Sequence, residues 1–213
     1  MQNIVKLLIG CVAAAGMALP ASAGITLSLT PASQTVGLDG SETFDVNVSG
    51  LFGSYNYSGP ALGGYNIVLD YNPSIASPVS ATFSSALNVD ANGDFSLSDL
   101  GVSTPGQIVL DDFSFGTVAA LEQAQAPFFP NHGASGSMTL AYVTLEGIAD
   151  GTMPLTFDPT TSLSDANGST LDVITESAAS LTVVPERSCF GALEAAAALG
   201  LGMFHRKLRA VVA

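Results

Sequence analysis

Two kinds of stretch in this chain gather side chains suited to holding a ligand. In DANGDFSLSD, Asp90, Asn92 and Asp94 stand at alternate positions. That is the spacing of the first, third and fifth ligands of a calcium loop, where hard oxygens surround a hard cation. Ser96 and Ser98 would follow at the seventh and ninth positions, and Asp99 supplies the last acid at the tenth, two short of the usual place. Phe95 stands where the sharp turn asks for glycine. The competing reading is a turn between strands, in which Asp and Asn bond their own backbone. LSDANGSTLD repeats the theme more weakly through Asp165, Asn167 and Asp172. The other kind is aromatic: Tyr55 and Tyr57 in GSYNYSGP, with Phe128 and Phe129 in APFFPN. Exposed aromatics in Gly/Pro loops offer faces for a sugar or an apolar partner. Their competing role is to cap the ends of a core. The chain has no Trp, which weighs against a sugar site.

Catalytic chemistry is poorly provided for, and the chain reads as a non-enzyme. His132, in PFFPNHGASG, is the body's one histidine, and no serine lies in a nucleophile-elbow pattern for it to activate. Zinc would need more His or Cys than the body offers. Asp111 and Asp112 are adjacent, and neighbours on a strand point to opposite faces, so they do not share a site.

Charge divides the chain into three. The net charge is -13, with 18 acids against 5 bases. The bases are Lys6, Arg187, Arg206, Lys207 and Arg209, so Gly24 to Val184 holds 16 acids and no Lys or Arg. Such a body cannot neutralise phosphates, which excludes nucleic acid. Anionic lipid headgroups would be repelled as well.

Period-two alternation runs through the acidic body. Phe44, Val46 and Val48 alternate with Asp45, Asn47 and Ser49; Tyr65, Ile67, Leu69 and Tyr71 alternate with Asn66, Val68 and Asp70. In SMTLAYVTLEG, Met138, Leu140, Tyr142 and Thr144 would share a face. Ile25–Leu29, Gln107–Phe115, Met153–Asp158 and Ala179–Val184 are further strands. Thr117–Ala126 reads as a short helix limited by Pro127. Many strands separated by turn residues predict an all-β sandwich or barrel.

Three stretches, in order, resemble a cohesin-type domain: TVGLDGSETFDVNVSGL, LGGYNIVLDYNPSI and SGSMTLAYVTLEGIADGTMPLTFDP. In the second, Tyr71-Asn72-Pro73 stands at the family's Tyr-Asp-Pro step. The resemblance covers most of residues 24–184. It implies an antiparallel, nine-stranded jelly-roll β-sandwich, related in architecture to some carbohydrate-binding modules.

The two ends read as addresses. MQNIVKLLIGCVAAAGMALPASAG has the plan of a signal peptide over residues 1–23, with small residues before Gly24. Leu8-Ile9-Gly10-Cys11 also matches a lipoprotein box, though few apolar residues precede Cys11. At the other end Cys189 to Phe204 is apolar apart from Glu194. As a helix these residues span roughly 24 Å at 1.5 Å each, against about 30 Å of hydrocarbon. Arg206, Lys207 and Arg209 follow, and such a basic cluster stays cytoplasmic. With Val184, Pro185 and Glu186 in front, the tail 185–213 resembles a PEP-CTERM sorting signal. Arg187 replaces the family's second proline. That resemblance implies an exosortase-type processing enzyme, an inner-membrane intermediate, and delivery to the cell surface or matrix. The whole then reads as an exported adhesion or matrix protein that binds a surface protein or extracellular polysaccharide. A carbohydrate-binding module working through Tyr55, Tyr57, Phe128 and Phe129 is the alternative.

Overall fold

The computed structural model describes residues 24–51, 61–89, 94–101, 103–129 and 136–185. The signal-peptide and tail-helix expectations, with Glu186, Arg206, Lys207 and Arg209, lie outside the described residues, as do Tyr55, Tyr57, His132, Asp90 and Asn92. Among the described residues no helix is long and apolar enough to cross a membrane.

Among the described residues thirteen strand segments form two facing sheets: β1 (Ile25–Thr30), β2 (Ser33–Gly37), β3 (Ser41–Ser49), β4 (Leu62–Asp70), β5 (Ala76–Phe83), β6 (Asp94–Asp99), β7 (Gln107–Ser114), β8 (Ser137–Gly147), β9 (Gly151–Phe157), β10 (Ser162–Asp165), β11 (Thr170–Leu171), β12 (Val173–Ser177) and β13 (Ala179–Val184). One sheet runs β12-β1-β3-β8-β5. The other runs β11-β10-β4-β9-β13-β2, with β7 also on β4 and β6 on β7. The count exceeds nine for two reasons. The first and last strands each change sheets midway, giving β1 then β2 and β12 then β13. The β10–β11 hairpin adds two more. Nor is the sandwich wholly antiparallel: β1 pairs β12, and β2 pairs β13, in parallel.

The core forms where the alternations meet. Phe44, Val46 and Val48 of β3 are fully buried, as are Ile67 and Leu69 of β4 and Met153 and Leu155 of β9. Burying each such side chain contributes about 1.5–3 kcal/mol, and with no cysteine in the body that burial takes the place of disulfides. One expected face is overturned. Met138 and Leu140 point inward, but so do Ala141, Val143 and Leu145, while Tyr142 is exposed. Val46 pairs Ala141 and Asn47 pairs Thr139, so Leu140 is an extra residue. A β-bulge inverts the alternation beyond it. The Leu140 carbonyl accepts from Ser84 N at 2.9 Å and from the Tyr65 hydroxyl at 3.0 Å.

The central strand β4 pairs β7 over Gly64–Asp70 on one side, and β10 then β9 on the other. Side chains complete its ladder where strands do not. The helix α1 (Val118–Gln125), capped by the Thr117 side chain, buries Gln125 completely. Its amide accepts from Leu62 N at 2.8 Å and donates to Leu62 O at 2.7 Å. Between the β10 and β9 pairings, the Thr161 hydroxyl accepts from Val68 N at 3.1 Å and donates to Val68 O at 3.2 Å.

Candidate binding face

The outer face of β4, β7 and β6 follows from register. Phe95 pairs Phe113, Leu97 pairs Asp111 and Asp99 pairs Val109 across β6–β7. Gly64 pairs Phe113 and Asn66 pairs Asp111 across β7–β4. Directly opposed residues share a face. Ile108, Leu110 and Asp112 of β7 point inward, so Asp111 and Phe113 point out. Phe95 is 44% exposed, Leu97 54%, Phe113 40% and Phe115 63%. Phe95 stacks on Phe113 at 4.9 Å between centroids, and Phe115 meets Phe113 edge-on at 5.0 Å. Exposed aromatics held together in this way mark an interaction site. Gly64 lets β7 come close, because a Cβ there would stand 2.7 Å from that of Phe113.

Polar groups surround the aromatic cluster. The Asn66 amide donates to Asp111. Toward the other end of β4, the Gln107 amide donates to Asp70 at 3.0 Å and to Asp158 at 3.4 Å. The Thr160 hydroxyl, and then its backbone N–H, hold the Asp158 carboxyl below the ordinary range. Two shallow grooves flank these features. One of about 270 Å³ lies over Gly64 between Phe113 and the hydroxyls of Ser162, Ser164 and Thr170. The other, of about 340 Å³, is lined by Asp70, Tyr71, Pro73 and Pro154.

Of the residues expected from sequence, Asp94, Phe128, Phe129, Val184 and Pro185 are among the described ones. Asp94 opens β6, and residues 94–99 run as a strand. Ser96, itself exposed, pairs Asp112, and its hydroxyl donates to the Asp112 carboxylate at 2.9 Å. Asp99 instead accepts from Ser103 N. The second Asp-Ala-Asn-Gly stretch is a turn: the Asp165 carboxylate accepts from Asn167 N and Ser169 N, both at 2.8 Å. Among the described residues no three acids, histidines or cysteines gather around a metal-sized space. Phe128 is 43% exposed, but Phe129 is 2% exposed and belongs to the core, so it offers no face to a ligand. Asp111 and Asp112 do take opposite faces, with Asp112 buried. Val184 ends β13, and Pro185 follows it directly. Sequence reading missed Phe95, Leu97, Phe113 and Phe115. The signal was parity, since Phe113 and Phe115 stand out of phase with Ile108 and Leu110.

No family model matches the sequence, and no curated protein does so either. Solved structures do match. CaCohA2 of Clostridium acetobutylicum is 20% identical with a TM-score of 0.51, over 76% of this chain and 91% of that one. A non-cellulosomal cohesin of Archaeoglobus fulgidus is 14% identical with a TM-score of 0.51, over 79% and 96%. The sixth cohesin of scaffoldin B from Acetivibrio cellulolyticus, solved in complex with a Cel5 dockerin, is 11% identical with a TM-score of 0.51, over 76% and 99%. At these identities the likeness is one of fold. The body of this chain is a cohesin-like β-sandwich.

Proposed function

We propose that this chain is an exported, non-enzymatic binding protein of the cell surface or extracellular matrix. It takes a protein partner on the outer face of β6, β7 and β4. The observation that carries this reading is the cluster of Phe95, Leu97, Phe113 and Phe115, four large apolar side chains kept in water on one sheet face. A cohesin of the same fold is solved with a dockerin bound, which supports a protein as the occupant. Delivery rests on the two ends: residues 1–23 direct export, and the PEP-CTERM-like tail 185–213 holds the protein at the inner membrane until an exosortase-type enzyme acts.

The test compares the intact protein with its Phe95→Ser, Phe115→Ser double variant. Both are immobilised and exposed to envelope and matrix fractions of the native host, and captured proteins are identified by mass spectrometry. Both side chains are solvent-exposed, so the variant should keep its melting temperature within about 2 °C. Its captured partner should fall at least about tenfold, the equivalent of about 1.4 kcal/mol. The same set of proteins on both forms would remove the face from consideration.

A further inference from the structure

The edges of the two sheets are not equally guarded. On one side, β12 and β2 are terminal strands, but β1 runs into β2 and β12 into β13, so the chain itself joins the sheets there. On the other side β5 and β6 are terminal. The β5 edge carries Pro78 and a register break between Pro78 and Ser80, with Val79 bulged out and 50% exposed. Proline and bulges are devices that stop a foreign strand from pairing. β11 is only two residues long. β6 has none of these protections. It pairs β7 without a break from Asp94 to Asp99, and among the described residues its other edge has no strand partner. DFSLSD contains no Pro, Lys or Arg.

We infer that the edge of β6 away from β7 is a strand-addition site for an extended, basic segment of the partner protein. The inference rests on the outer face being the binding face, and it specifies how that face is used. Main-chain hydrogen bonds to β6 would supply affinity, and the alternating side chains of the added strand would supply specificity. On the outer face β6 presents Phe95, Leu97 and then Asp99, with Asp111 beside Leu97. The fitting strand carries apolar residues against the first two and a Lys or Arg against the carboxylates. Charge also decides against a second copy of this chain. Each copy would bring a body with 16 acids and no base to the same edge. Six residues of pairing span about 20 Å, an ordinary strand length.

The test uses the peptide Lys-Thr-Val-Thr-Val-Thr-Lys, which reads the same in either strand direction, and a copy N-methylated at every internal residue. N-methylation keeps charge and side chains but removes backbone donors. Amide hydrogen exchange is followed on the intact protein at low salt. The expected result is that the unmethylated peptide slows alternate amides of β6 about tenfold at nine-tenths saturation. The methylated copy should leave them unchanged, and raising the salt should weaken the effect. Equal binding of the two peptides, or protection on β5 and not on β6, would overturn the inference. So would a dimer of the free protein with β6 already protected. Loss of the captured partner in the Phe95→Ser, Phe115→Ser variant, with no β6 protection by peptide, would sink strand addition and leave the binding face standing.

Discussion

At the scale of single residues, the central strand depends on side chains that imitate backbone. Gln125 presents one acceptor and one donor to Leu62, as the next strand of a sheet would. All of these groups are buried, so removing the amide orphans Leu62 N–H and C=O together. Each buried unsatisfied group costs about 1–3 kcal/mol. Gln125→Leu should therefore lower stability by about 2–4 kcal/mol and the melting temperature by roughly 5–15 °C. Thermal unfolding followed by circular dichroism checks this, and a loss under about 2 °C would show that the Leu62 groups find other partners. Little of this was legible in the sequence. TVAALEQAQA announces a short helix limited by Pro127, but nothing local says that Gln125 faces inward or that Leu62 waits for it. The same holds for the aromatic face. Phe95 and Phe113 meet only through register, and register is a property of the fold.

At the scale of elements, strands with large apolar residues every second position could be read directly, as in β3, β4, β8 and β13. β5 and β6 could not, because their Ser-rich, half-exposed sequences carry weak alternation. The bulge at Leu140 defeated the face assignment for a different reason: it depends on an unequal pairing with β3. Gly63 and Gly64 show how a sequence feature of β4 becomes architecture. A Cβ on Gly63 would meet Asp165 O at 2.4 Å and Ala166 Cα at 2.7 Å, so its bareness admits the β10–β11 turn. A Cβ on Gly64 would press on Phe113 Cβ and on Asp112 O at 3.1 Å, so its bareness seats the aromatic cluster. Overpacking of this kind costs about 1–3 kcal/mol. Both Gly63→Ala and Gly64→Ala should lower the melting temperature, but only Gly64→Ala displaces Phe113 and weakens partner capture. Equal capture by the two variants would show that the position of Phe113 does not matter for binding.

At the scale of the whole molecule, charge and apolar runs divide the sequence into an acidic body and two ends. Composition acts over long stretches and needs no register to be read. Among the described residues the first strand begins at Ile25 and the last ends at Val184, which pairs with Gly37 in the last parallel rung of β13 and β2. A processing enzyme needs extended chain free of a ladder, because paired backbone resists cleavage. The proposed sorting motif starts on that rung, so a cut within it would fall between Pro185 and Arg187. A cut further upstream would strip β13 from β9 and β2 and open the core along Leu181 and Val183. Intact mass of the protein recovered from the surface or medium of its native host reads this directly. The expected species starts at Gly24 and ends at Pro185 or Glu186, without the basic cluster. A mass running to Ala213, with the protein held in the inner membrane, would make the tail a permanent anchor and place the partner in the envelope.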